Sequence, residues 1–426
     1  MRGGHGKAHR RNSDVWSLDD KKEGLIMDPQ RSNGRRAKSL WRTSNVWAFS
    51  FASLFSDWGH EMVTALLPGF LLSLGAPAMA LGLTEGISNL AQAVTALWGG
   101  RINDRKTYRH LWLVIGYVLT GLKALIALVY WWPWVVLLRT VGWSGRGARG
   151  PIRDSYIAEE VPKESVGKAY GLREMFDTLG AVLGPLGAAV LVALASPRTL
   201  IAWSAVPAIL TVLVILKVRK VTPSPISAAS VKNSPPVAWG RPFIRYRWAT
   251  FIFTMGYVAP TFFILRVWQG HVTVGPVSAH TLALLLYALH NAIYALSSYP
   301  VGWLSDRIPG RPLLLLGYGI WTLVIAGFFV GLGGIGWWIV LFAVAGLATG
   351  LIEVAQKLAT IRLITAPTRG QGLGQIAALR GGAQLASGII MGGLWTAGNA
   401  QVGFGVEAGV ALIGVTLMGT IGREAI

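Results

Sequence analysis

The sequence predicts an all-α polytopic membrane protein, with twelve transmembrane helices arranged as two six-helix bundles. Three observations carry that expectation. Hydrophobic residues make up 53% of the 426-residue chain and charged residues 14%, whereas soluble domains carry about a quarter charged residues. The apolar residues lie in blocks of about twenty, enough for a helix to cross a ~30 Å hydrocarbon layer. The connections between blocks alternate between basic and nearly uncharged. Together these argue against a soluble enzyme. Nineteen Trp suit the two membrane interfaces. The chain has no Cys, which excludes disulfide scaffolds and thiolate metal sites but leaves the redox compartment open.

The blocks fall at roughly 46–73, 78–99, 111–130, 133–150, 165–194 and 200–217, then at roughly 246–267, 277–301, 312–331, 336–360, 371–396 and 402–422. Period does not separate helix from strand in a fully apolar run. Length does, together with the exclusion of open sheet edges from lipid. One set of connections carries Arg101, Arg105, Lys106 and Arg109, then Lys163 and Lys168, Lys217 to Arg247, Arg307 and Arg311, and Arg362 and Arg369. The other set, exemplified by 73–77, 130–134 and 331–336, is short and almost uncharged. The positive-inside rule makes the basic set cytoplasmic, placing both termini inside at a cell membrane. The net charge of +20 then reflects topology and attraction to anionic lipids, not a nucleic-acid partner.

Residues 1–42 are polar and Arg-rich and read as a disordered cytoplasmic tail. They lack the apolar core of a cleavable signal peptide. Met27 is an alternative start, since Met27-Asp-Pro-Gln leads straight into the basic flank of the first span. Residues 43–217 form the first bundle, 218–242 a Pro- and Ser-rich cytoplasmic linker, and 243–426 the second bundle.

The two halves share punctuation. Gly100-Arg-Ile-Asn-Asp104-Arg105 follows the second span, and Gly302-Trp-Leu-Ser-Asp306-Arg307 follows the eighth. Val161-Pro162 with Gly167 and Gly171 precedes the core of the fifth span, as Ala366-Pro367 with Gly370 and Gly374 precedes that of the eleventh. Two matching offsets indicate duplication, and repeated bundles suggest alternating access about a central cavity. Here the chain, from about Trp41 to Arg423, resembles the major facilitator superfamily of secondary transporters. Its signature, Gly-x-x-x-Asp-Arg followed by further basic residues, is met by Gly100, Asp104, Arg105 and Arg109, and again by Gly302, Asp306, Arg307 and Arg311. The first copy has Lys106-Thr107-Tyr108 where a glycine is usual. The resemblance implies a cytoplasmic gate at these turns and does not identify the substrate.

Chemistry-bearing residues cluster in the first half. Asp57, His60 and Glu61 share one face of the first span with Ser53 and Thr64. Carboxylates at this depth are costly facing lipid, so the stripe should face the bundle interior. It reads as a protonation or cation site, or as an interhelical anchor. Glu85 and Asn89 share a face of the second span, with Glu85 near enough to the outer end to be solvated. Lys123 either pairs with one of these acids or snorkels. Arg139, Arg146, Arg149 and Arg153 occupy one sector of the fourth helix. The resemblance makes Arg139 a proton-coupling candidate, although Gly142 comes one place earlier than the family's glycine. The later three arginines read as latches to Asp104, Asp154 and neighbouring acids, or as an anion-attracting vestibule.

In the fifth span Arg173, Asp177, Gly180 and Gly184-Pro185 follow one stripe. Gly180-x-x-x-Gly184-Pro185 resembles the superfamily motif of exporters and antiporters, with Ala188 and Ala189 in place of its trailing glycines. Close helix packing is the plainer reading. In the second half, Tyr287, His290, Asn291 and Tyr294 form a polar stripe. Glu353 and Lys357 have the favoured order for an i,i+4 ion pair, Arg380 and Gln384 share a face, and Glu407 reads as near the outer interface.

Gly145-x-Gly-x-x-Gly150 and Gly331-x-Gly-x-x-Gly336 have dinucleotide-fingerprint spacing, but neither sits in a βαβ unit. No phosphate loop is present, and the seven His are not at metal-ligand spacing. No cofactor and no catalytic residues are expected. The expectation is therefore a monomeric secondary transporter of a small solute, exchanging protons through Asp57 and Glu61, with Asp177 and Arg139 in support. His60, Glu85, Arg173, Tyr287, His290, Asn291 and Arg380 are expected to line the cavity. Efflux by antiport is favoured and uptake by symport is the alternative. A channel or a non-transporting receptor would be a different class.

Overall fold

The computed structural model describes residues 43–105, 108–162, 165–220, 239–270, 277–305, 307–364 and 369–422. The tail 1–42, most of the expected linker, the residues Lys106, Thr107, Lys163, Asp306, Ala366 and Pro367, and the side chains of Asp104, Arg105, Arg369 and Gly370 lie outside the description. Twelve membrane-crossing helices make up the described chain: α1 (Ser44–Ser73), α2 (Ala78–Arg105), α3 (Arg109–Leu128), α4 (Trp132–Glu160), α5 (Val166–Leu191), α6 (Pro197–Leu216), α7 (Arg241–Trp268), α8 (Ala279–Ser305), α9 (Gly310–Val330), α10 (Ile335–Leu363), α11 (Arg369–Thr396) and α12 (Ala400–Gly419). Glycines at positive φ, Gly75 (φ 68°) and Gly331 (φ 65°), turn the chain on the short-loop side.

Eight of these helices are apolar enough to be recognised as spans on their own. The other four are α1, α2, α4 and α11, whose apolar runs are interrupted by polar and charged residues. The fourth helix also runs ten residues past the expected end near 150, to Glu160. Its charged end reads as a loop in isolation, but neighbours satisfy it. Asn103 of α2 donates to Ser155 (2.7 Å), Tyr170 of α5 to the Asp154 carbonyl (2.8 Å), and Arg109 of α3 to both Glu159 oxygens (2.9 and 2.6 Å).

Three helices are interrupted. The last part of α3, Leu122–Leu128, is a 3₁₀ helix. In α6 the break is at Ser204, whose hydroxyl donates back to the Ile201 carbonyl (2.6 Å). The first segment of α7 ends at Met255 and the second starts at Pro260. Proline has no N–H to continue the ladder. Gly256 at this break lies so close to α12 that a Cβ would stand 2.3 Å from the Ala411 nitrogen.

The packing repeats with a six-helix offset. Within the first half α1 packs on α5 and α6, α2 on α4, α3 on α4 and α6; within the second, α7 packs on α11 and α12, α8 on α10, α9 on α10 and α12. The halves meet along α2–α11 and α5–α8, again equivalent pairs. The first seam runs nearly the whole length of both helices, from Met79 against Gly392 through Gly82 against Gly388 to Leu97 against Gly374. On the short-loop side the second segment of α7 is almost wholly buried and sets the Trp268 indole on Gly69 of α1. Interior acids toward the basic-loop side are more open: the side chain of Glu174 is 60% exposed and that of Glu353 41%.

At Gly82 a Cβ would lie 1.9 Å from the Gly388 carbonyl oxygen, whereas nothing lies within 4 Å of one at Gly319. Gly82→Leu is therefore expected to cost at least the ~1–3 kcal/mol of an overpacked core, with Gly319→Leu close to neutral. Thermal unfolding of the two purified variants in one detergent measures the difference.

Candidate transport site

The α1 stripe faces the interior. Ser53, Ser56, Asp57, His60 and Thr64 are buried, and α4 supplies their partners from one stripe of its own. Arg146 grips Asp57 with both terminal nitrogens (2.6 and 3.1 Å), the bidentate form that gives an arginine–carboxylate pair its strength. Arg149 donates to the Ser56 hydroxyl (2.8 Å) and lies 3.7 Å from the Tyr117 ring centroid. Lys123, from the 3₁₀ segment of α3, donates to the Ser56 carbonyl (3.1 Å). About two turns further along, Arg139 donates to Glu85 (2.9 Å) and Thr64 (3.2 Å). Its guanidinium lies 4.0 Å from the Trp143 ring, His60 stacks on the same indole at 4.0 Å, and Trp143 donates to Asn89 (3.1 Å). The result is a continuous layer across α1, α2, α3 and α4, with two carboxylates and four cations held at fixed distances.

Glu61 is bonded differently. Its Oε2 accepts from the Tyr287 hydroxyl of α8 at 2.7 Å, and its Oε1 is 3.6 Å from His60 Nε2. This hydrogen bond joins the two halves. Beside it His290, also of α8, is buried and stacks on Tyr287 (5.9 Å, 11°), and Asn291 donates to the Ala181 carbonyl of α5 (3.0 Å). Toward the basic-loop side Arg173 bonds Glu174 and lies 3.4 Å from Asp177, while Arg153 donates to Asp154 (2.9 Å). In the second half Arg380 of α11 grips both Glu353 oxygens, one at 3.3 Å. Asp57, His60, Glu61, Glu85, Arg139 and Tyr287 thus form one cluster. Arg173 and Asp177 border it, and Arg380 belongs to a separate pair.

Several expectations are corrected. Glu353 bonds to Arg380 across helices, not to Lys357 along its own, because the α11 guanidinium meets the carboxylate fork to fork. Glu85 is buried and paired with Arg139, not solvated near an outer end. Lys123 neither snorkels nor forms an ion pair; it is 2% exposed and held by a backbone carbonyl. Among the described residues, Arg146 and Arg149 reach α1, while Arg153 pairs with Asp154 as expected. Glu407 is fully enclosed (0% exposed) beside the break in α7.

At the signature turns, Arg109 is buried between Glu159 and the Tyr156 ring (4.4 Å), Arg307 lies over Trp303 (3.4 Å), and Arg311 donates to the Gly419 carbonyl. Nothing lies within 4 Å of a Cβ at Gly100 or Gly302. The residues Asp104, Arg105 and Asp306 fall on side chains or positions not described. Gly180 and Gly184 bring α5 against α1: a Cβ would stand 2.3 Å from the Leu54 oxygen at the first and 2.7 Å from the Met62 nitrogen at the second. The following Pro185 is buried within α5. Sequence reasoning did not single out Ser56, Tyr117 or Trp143. The three-and-four spacing of Arg139, Trp143 and Arg146 was the available signal for Trp143.

Removing one member of a buried ion pair costs about 3–5 kcal/mol, and less where a partner is partly solvated, as Arg146 is (25% exposed). Arg146→Met is expected to lower thermal stability markedly, and adding Asp57→Asn to restore much of it. A double-mutant cycle on the melting of purified protein reads the coupling.

A profile described as Major Facilitator Superfamily matches residues 49–289. An uncharacterised MFS-type transporter of Methanocaldococcus jannaschii is 29% identical over 363 residues, covering 83% of this chain and 89% of the relative. A multidrug resistance protein, MdtH, of Cronobacter sakazakii is 33% identical over 119 residues, 28% of this chain and 29% of that protein. Among solved structures, the nucleoside transporter NupG aligns with a TM-score of 0.70 at 13% identity, over 88% of this chain and 98% of its own. A D-xylose–proton symporter aligns with a TM-score of 0.66 at 14% identity, over 89% and 97%. These two likenesses concern the fold alone. By sequence profile, helix count and paired packing together, the chain belongs to the Major Facilitator Superfamily.

Proposed function

We propose that this transporter moves a small solute across the cell membrane by alternating access, coupled to protons through Glu61 with Asp57 in support, in the direction of efflux by antiport. The observation that carries the reading is the Tyr287–Glu61 hydrogen bond (2.7 Å). Glu61 is on the first half and Tyr287 on the second, so rocking of the halves makes or breaks this bond. A carboxylate that gains or loses a donor with each swing binds a proton differently in the two access states, and that difference is the linkage coupling requires. Asp57, clamped by Arg146, offers a second exchange: a proton or a cationic solute competes with the guanidinium for it. The seal of Trp268 on Gly69 and the open acids at the other end fit access from the basic-loop side, which the charge pattern makes cytoplasmic. The turn signature and Asp177 then lie along that entrance.

The direction rests on the short match to MdtH and on the Gly180-x-x-x-Gly184-Pro185 motif. Uptake by symport is the second reading, favoured by the partly exposed guanidinium groups of Arg146 and Arg380 (25% each), which suit an anionic solute.

A thermal-shift screen of drugs and organic anions supplies a ligand, whose flux is then followed in proteoliposomes. An acid interior is expected to drive its accumulation by antiport, whereas accumulation driven by an acid exterior indicates symport. Glu61→Gln is expected to abolish pH-driven flux while leaving counterflow of labelled ligand. Intact pH-driven flux in the Asp57→Asn, Glu61→Gln double variant would refute the coupling assignment.

A further inference from the structure

A carboxyl group not used above lies inside the second half. Glu407 of α12 is 0% exposed, and neither carboxyl oxygen has a hydrogen-bond partner within bonding geometry among the described residues. It sits at the one place where α7 is broken: a Cβ on Gly256 would lie 2.6 Å from its carbonyl oxygen. A group so enclosed needs a positive partner, since burying a lone carboxylate costs many kcal/mol. Among the described residues, the helices packed against α12 supply none. On α7, the Tyr257 hydroxyl faces Thr349 (3.5 Å), and Arg241, Arg245, Arg247 and Arg266 lie in the terminal turns. On α9, Tyr318 is bonded to Thr250 and Gln356, and Arg311 lies at the helix start. On α11, Arg380 is engaged with Glu353.

The Ser387 hydroxyl of α11 reaches the same break in α7 from the other side. Ser387 already donates its one proton to the Tyr257 carbonyl at 3.1 Å, in the unwound stretch of α7. A hydroxyl has a single donor and two lone pairs, so only lone pairs remain to meet Glu407. While Ser387 is engaged with Tyr257, a hydrogen bond between the two takes its hydrogen from Glu407. Ser387 also borders a small cavity of about 80 Å³, shared with Tyr257 and Gln384 of its own half and Glu85 and Asn89 of the other.

We propose that Glu407 is a second proton-binding site, placed in the C-terminal half and exchanging its proton with the central cavity by way of the Ser387 hydroxyl. In the relay the Ser387 hydroxyl turns from Tyr257 to give its own hydrogen to water in the cavity and takes the Glu407 hydrogen in its place; only O–H bonds form and break. The site is independent of Glu61, whose donor comes from the opposite half.

Infrared difference spectroscopy of the full-length protein in lipid, between acid and alkaline buffer and in H₂O and D₂O, tests this. The wild type is expected to show a protonated-carboxyl C=O band that Glu407→Gln removes and that Glu61→Gln leaves in place. If Glu407→Gln fails to fold, Glu407→Asp is expected to shift the same band. Ser387→Ala is expected to keep the band but slow its exchange with deuterium roughly tenfold, the weight of a single hydrogen bond. A spectrum unchanged by substitution at Glu407 overturns the proposal. Exchange unaffected by Ser387→Ala overturns the route, and a band lost on adding sodium overturns the proton as ligand. A band lost with Glu61→Gln but not with Glu407→Gln overturns this site while leaving the Glu61 reading standing.

Discussion

A charge inside a membrane bundle must be met by another group, and in this chain α4 is where most of that matching is done. Its guanidinium groups reach Asp57 and Ser56 on α1, Glu85 on α2, and Asp154 on its own surface. Because each contact is charge-assisted and most are directional, they fix the rotation of α4 about its axis as well as its distance from α1. That orientation brings Trp143 between Arg139 and His60, and turns Glu61 toward the other half. The separate geometry of each carboxylate follows from this one constraint.

Much of the fold was legible in the sequence, because a bilayer leaves the backbone few options. Block length set the spans, basic loops set their alternation, and the Asp104 and Asp306 turns betrayed the duplication. What failed were the ion-pair partners, which are decided between helices. Glu353 and Lys357 obey the local i,i+4 rule, yet Arg380 takes the carboxylate, since a planar fork from a facing helix outcompetes a flexible ammonium on the same one. The end of α4 was misjudged for a related reason: charges that look like loop become interior when Arg109, Asn103 and Tyr170 surround them. The α1 stripe was readable because its acids are three and four apart. Its partners were not, because they lie more than fifty residues away in the chain.

The halves share packing but not chemistry. The first is organised by ion pairs. The second is organised by parallel rings, with Phe253 on Tyr318 (3.5 Å, 2°), Tyr257 on Trp321 (4.1 Å, 4°) and Phe263 on Phe328 (4.2 Å, 9°) running along α7 and α9. Stacked rings tie the two segments of α7 to one neighbour on both sides of its break. The break therefore keeps its place in a stiff frame, and it is there that the backbone carbonyl of Tyr257 is free to accept from Ser387.

That contrast bears on how the halves move against each other. Along α2–α11 the contact is made of glycines against backbone, with Gly82 and Gly388 too close for any side chain between them. At such glycine contacts no side chain has to disengage, so this part of the seam tolerates small rotations at little cost while holding its spacing. The α5–α8 seam is lighter and polar, with Asn291 on the Ala181 carbonyl and Tyr287 on Glu61 beside it. Under the proposed rocking motion, strain falls on the weaker seam. The first bonds to break are then those that reach the α1 acids, so opening of the pathway and a change at Glu61 become one event.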